Sequence, residues 1–158
     1  MIPRFKSDDE DGLKWEDLGE SAATILSLAR ICSRSFSQVE PLKVDLGLEA
    51  KTILYAARER GVIEIVGKKN AFDSVDRFVS VHVEYEPHQF LSFKRKEEPE
   101  RTVKFVEGFK QLCVGGWVMH HLMREFSLTA GGFELAREIP REEVKQALQF
   151  ASEIGYEF

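Results

Sequence analysis

Cysteine is nearly absent from this chain. Cys32 and Cys113 are its two cysteines in 158 residues. Both fall in apolar helical patterns, and neither has a second cysteine at ligand spacing, which excludes a cysteine-based metal site. A free cysteine in such a setting behaves as a small buried hydrophobe. Long apolar stretches are missing too. The longest, from Leu112 to Met119, contains two glycines and is too short to span a bilayer, so no membrane contact is expected. The opening Met1-Ile2-Pro3-Arg4 turns acidic without an apolar segment of export length, and the expected location is cytoplasmic. Basic charge is in deficit, with 22 Lys and Arg against 27 Asp and Glu and a net charge of −5. That balance works against indiscriminate binding to nucleic acid or to anionic lipid. Aromatics with a polar handle are scarce: three Tyr and two Trp stand beside twelve Phe, and most of the Phe therefore read as core. There is no internal repeat and no low-complexity segment.

What remains is ordinary globular material, 43% hydrophobic and 31% charged. A chain of this length buries roughly 70% of its unfolded surface. Residues 1–17 read as a disordered acidic tail around Asp8, Asp9, Glu10 and Asp11. Residues 18–158 read as one globular domain, divisible into submodules 18–93 and 99–158.

Apolar spacing predicts a helix from Ser21 to Arg34 and a second from Leu48 to Arg60, the latter stopped by Gly61. Val62 to Val66 is a short β-branched strand. From Phe78 to Tyr85 the pattern alternates: Val79, Val81 and Val83 point one way, while Ser80, His82 and Glu84 form a wet face. Phe90 to Phe93 predicts a third strand. The apolar spacing after Pro99 predicts one long helix from Arg101 to Glu125, with Gly115-Gly116 at a bend or a close approach. Its apolar surface exceeds what a one-sided helix needs, which suggests a homodimer. Pro140 opens a last helix that closes at Gly155. The expected fold class is α+β, mainly helical with a small antiparallel sheet.

The run Glu134-Leu135-Ala136-Arg137-Glu138-Ile139-Pro140-Arg141-Glu142-Glu143-Val144, continuing to Ala147-Leu148 and Gly155-Tyr156, resembles the second and third helices of a winged helix-turn-helix domain. Residues 21–86 resemble the same plan more loosely. The resemblance implies a winged-helix-like arrangement. In that superfamily a β-hairpin wing follows the longer helix, and no wing is expected from the residues between Gly155 and Phe158.

The chemistry-bearing residues give no catalytic set, no cofactor site and no metal site. His120 and His121 are adjacent, so their imidazoles diverge rather than converge on one ion. Cys113 and His120 lie two helical turns apart, too far for a nucleophile and its base. Gly61 to Lys68 lacks the spacing and the Ser or Thr of a phosphate-binding loop. Nucleic acid is the serious competitor. Lys51, Arg58, Lys68, Lys69, Lys94, Arg95 and Lys96 are the residues that could meet phosphates, although Glu49, Glu59 and Glu64 are interleaved with them.

The expected function is a non-catalytic interaction or regulatory module acting through protein contacts. The alternatives are a nucleic-acid-binding regulator of winged-helix type and an enzyme whose site assembles only in the fold. A basic stripe would favour nucleic acid, an exposed apolar patch a protein partner, and a deep pocket with perturbed titratable groups an enzyme.

Overall fold

The computed structural model describes residues 15–38, 44–68 and 71–155. Most of the expected acidic tail lies outside them, and α1 already begins at Trp15. In chain order the elements are α1 (Trp15–Ser37), α2 (Leu48–Ala57), β1 (Val62–Val66), a 3-10 turn (Val75–Arg77), β2 (Ser80–Glu86), β3 (Gln89–Ser92), α3 (Pro99–Val114), β4 (Val118–His120), β5 (Glu125–Leu128), α4 (Ala130–Glu138), α5 (Arg141–Leu148) and β6 (Ser152–Gly155). The strands form one antiparallel sheet in the order β4-β5-β1-β2-β3-β6. The fold is α+β.

Strand alternation sorts the sheet into two unlike faces. Ile63, Ile65, Val81, Val83, Phe93, Phe126 and Leu128 share a single core with residues from all five helices. Within it Phe105 stacks on Phe93 at 4.5 Å and on Phe150 at 5.3 Å between ring centres. The opposite face carries Glu64, Ser80, His82, Glu84, Phe90 and Ser92. Register places Glu64 across from His82, His82 across from Ser92, and Ser92 across from Ser152.

Two glycines decide where the helical part gives way to the sheet. Gly61 has φ +70°, and a Cβ there would lie 2.2 Å from Phe133 Cζ. It therefore ends α2 and lets the chain turn under α4, as only a glycine can. Gly116 has φ +72° and closes α3. Its N–H donates to Cys113 O at 3.3 Å and the next N–H, of Trp117, donates to Leu112 O at 3.0 Å, the hydrogen-bond pair of a Schellman cap.

The long helix to Glu125 is thus replaced by a helix that stops at Val114 and a β4–β5 hairpin. Trp117, one of the apolar positions behind the homodimer expectation, packs against the core of its own chain, whereas Leu122 and Met123 stay exposed on the hairpin. The last helix is also shorter than its spacing suggests. It ends at Leu148, and Ser152–Gly155 pairs with β3 instead. Phe150 turns inward to 1% exposure, and Arg95 holds the carbonyls of Phe150 (3.0 Å) and Gln149 (2.6 Å), fixing the exit from the helix. α4 and α5, the helices of the winged-helix resemblance, both pack against α2.

Candidate functional site

β2 is flanked on both sides in the sheet, and its polar face is not wet. Ser80, His82 and Glu84 are 1%, 6% and 8% exposed. Gly67, Lys68 and Asp76 from between β1 and β2, with Lys94 and Lys96 after β3, stand over Ser80 and His82, while Glu84 pairs with Arg60 at 3.3 Å. Lys94 anchors that cover from the other side, its Nζ donating to the carbonyls of Asp76 and of Phe78, the latter at 3.0 Å. Between cover and sheet lies a cavity of about 200 Å³. Ser80, His82 and Ser92 are part of its lining, as are Lys68, Asp76, Lys94 and Lys96.

His82 is the centre of this site. Its Nε2 lies 3.2 Å from Ser80 Oγ and 3.1 Å from Ser92 Oγ. A neutral ring nitrogen offers one N–H or one lone pair, so it cannot make a strong bond to both hydroxyls. The alternative open to Ser80 is a long 3.4 Å bond to Val66 O. Nδ1 of His82 is buried without a hydrogen-bond partner, and so is Oε2 of Glu64, its register partner on β1. Orphaned buried polar atoms cost about 1–3 kcal/mol each and collect where a protein does something other than fold.

The electrostatics follow from burial and neighbours. Desolvation first, then the charges of Lys94, Arg124 and Lys68, push the pKa of His82 from 6.5 down to about 4. The ring is neutral at physiological pH. Burial also holds Lys94 below the usual lysine range, with Lys68 adding to the effect and Asp76 opposing it. Burial raises the Glu64 carboxyl against the pull of Arg124, 3.8 Å away.

A serine beside a histidine is the beginning of a nucleophile–base pair. A base must hold its proton near the working pH, and a ring with a pKa near 4 is poorly suited to that work. Hydrogen bonding to a bound group is what the neutral ring and the two hydroxyls do well.

Of the basic residues singled out from the sequence, Lys68, Lys94 and Lys96 come together on the rim of this cavity. Lys51 pairs with Glu143 on the helical side, Arg58 lies over the Tyr55 ring, and Arg95 is spent on backbone carbonyls. Lys69 lies outside the described residues. Ser80, His82 and Ser92 were not among the candidates. The alternation of β2 did mark Ser80 and His82 as facing away from the core, but no local pattern reveals what covers them.

The two histidines of the β4–β5 hairpin are occupied locally. His120 Nε2 meets Met123 O and His121 Nε2 meets Ser127 Oγ, each at 2.7 Å. Among the described residues no three His, Cys, Asp or Glu side chains converge in a way that could hold a metal ion. No described helix is long and apolar enough to cross a membrane. A second concavity of about 340 Å³ runs between α1 and α3, lined by Leu28, Ile31 and Val106 with Glu107 and Lys110.

Fold and site together define a class: an α+β domain with helices on one face of an antiparallel sheet and a covered polar cavity on the other. No protein-family model matches the chain, and no curated protein or solved structure is detectably similar to it.

Proposed function

We propose that this chain is a non-catalytic interaction module with a regulatory role, and that it engages a protein partner by receiving one of the partner's polar groups in the cavity over β2. The observation that carries the reading is His82, 6% exposed, sharing Nε2 between two serine hydroxyls under a rim of lysines. Buried hydrogen-bonding capacity that the fold leaves partly unused is the mark of a site built for an incoming group.

The test is a nuclear magnetic resonance titration with short peptides whose central side chain is neutral, cationic, carboxylate or phosphorylated. Amide shifts should map to Ser80, His82, Ser92 and Lys94, and each peptide should be recovered unchanged. Shifts confined to the α1–α3 side would remove the reading.

The Ser–His contact supports a second reading, an enzyme using Ser80 or Ser92. Conversion of a peptide or ester, lost in Ser80→Ala or Ser92→Ala, would establish it in place of the first. A nucleic-acid regulator would draw on the same Lys68, Lys94 and Lys96. It predicts binding to mixed DNA and RNA that falls steeply with salt.

A further inference from the structure

We infer that the cavity over β2 is a site for a compact oxyanion of the phosphate type, either free or as the head of a phosphate monoester; this rests on the cavity being the binding site proposed above. The size comes first. At about 200 Å³ the space is smaller than the ~300–1,000 Å³ that receives drug-sized molecules, so it takes a head group rather than a whole ligand.

The donors come next. An ammonium carries three N–H bonds. Lys94 uses two of them on the carbonyls of Asp76 and Phe78, which fixes its position and leaves one free. Lys96 spends one on Asp73 at 2.9 Å. Lys68 is exposed and engaged by no hydrogen bond or ion pair among the described residues. Ser80 and Ser92 add hydroxyls on the floor. Convergent ammonium and hydroxyl donors recognise an anion with several acceptor oxygens. Among the described residues Asp76 is the one lining carboxylate, outnumbered by the lysines.

The buried histidine adds a signature that a merely basic surface lacks. His82 is faced by Glu64 from β1, by Glu84 along its own strand, by Lys68 and Asp76 from the β1–β2 connection, by Lys94 and Lys96 after β3, and by Arg124 from the β4–β5 turn. Burial first, and then the charges of Lys94, Arg124 and Lys68, keep its ring neutral. An anion seated among the lysines screens them and favours the protonated ring, which has the Glu64 carboxyl on the adjacent strand as its register partner. Binding therefore takes up a proton.

The experiment is calorimetric titration of the full chain with sulfate, which carries no titrating proton near neutral pH, then with inorganic phosphate and O-phosphoserine. Saturable binding is expected at millimolar concentrations. Lys68→Met, at an exposed position with no hydrogen bond or ion pair among the described residues, should weaken it about tenfold, the effect of roughly 1.4 kcal/mol. Lys104→Met, an equal charge change on α3 away from the cavity, should leave it unchanged. Sulfate affinity should rise severalfold as pH falls from neutrality toward about 5, and His82→Gln should abolish that rise.

Tighter binding of O-phosphoserine than of phosphate assigns the site to a monoester head, and the reverse order assigns it to the free ion. Equal weakening by Lys68→Met and Lys104→Met, or no saturable binding of any of the three anions, overturns the inference. If peptides with neutral or cationic side chains still shift the β2 amides in that case, the interaction reading survives without it. If nothing shifts them, both fall.

Discussion

At His82 a single residue couples stability to pH. The folded ring binds its proton at about 4, against 6.5 for an ordinary histidine. Between those values the unfolded chain takes up a proton that the folded chain refuses. The contribution of the neutral ring is therefore complete above about 6.5 and is lost as pH falls toward about 4. Its full size is about 3 kcal/mol. Glu64 opposes it. Burial raises its folded pKa above 4.5, so its own contribution falls as pH rises past that value. Urea midpoints should still decline as the solution is acidified through this window, and His82→Gln should flatten the decline. A wild-type midpoint that does not move across the window would show that the ring is not held in its neutral form.

The same residue marks how far the sequence could be read. Alternation along β2 separated Val81 and Val83 from Ser80, His82 and Glu84, and the structure keeps that separation. Alternation says which face a residue is on but not what lies over the face. That information sits in Lys94, sixteen residues from the Phe78 carbonyl it holds. Lys68, Lys94 and Lys96 were singled out for charge alone, and nothing local joins them to a histidine on the strand between.

Among the elements, the lesson is about glycine and not about hydrophobicity. β1 was readable residue for residue because a short β-branched run bounded by Gly61 and Gly67 has few other fates. The residues after Gly116 were not. Trp117, Met119, Leu122 and Met123 continue the helical spacing of α3 by coincidence, while the backbone at Gly116 has already left the helix at φ +72°. Apolar spacing counts side chains, and the deciding quantity was a dihedral angle.

Gly116→Ala should therefore cost about 1–2 kcal/mol, the penalty for a left-handed L-residue, read as a lower denaturation midpoint with an unchanged slope. A neutral effect would mean that the cap is not what separates α3 from β4. Val81→Asp on β2 should do far more damage, since Val81 is 0% exposed and an unpaired buried carboxylate has no compensation there. Recovery of soluble, folded Val81→Asp protein would place the core on the wrong face of the sheet.

For the molecule as a whole, the question is whether the expected submodules, 18–93 and 99–158, have separate cores. The packing argues for one. Phe93 follows β3, Phe105 lies in α3 and Phe150 follows α5, yet their rings stack in sequence at 4.5 and 5.3 Å, and all three are at most 1% exposed. The sheet makes the same link, because β5 pairs with β1 and β6 with β3. β5 and β6 from the second half of the chain thus add to the two edges of the three-stranded sheet made by the first half, and β4 extends β5. Neither half can bury its apolar face without the other, so unfolding should be all-or-none.

Phe150→Ala tests this, since it removes the ring at the far end of the stack from β3. A loss of about 3–5 kcal/mol is expected for a fully buried phenylalanine. Far-UV circular dichroism and the exchange of β1 amide protons should report it equally, because β1 shares the core although it does not touch Phe150 in the ring stack. Two separated transitions, with β1 protected after the signal of α5 is gone, would instead mean that the halves fold on their own and that the cavity over β2 belongs to the first of them.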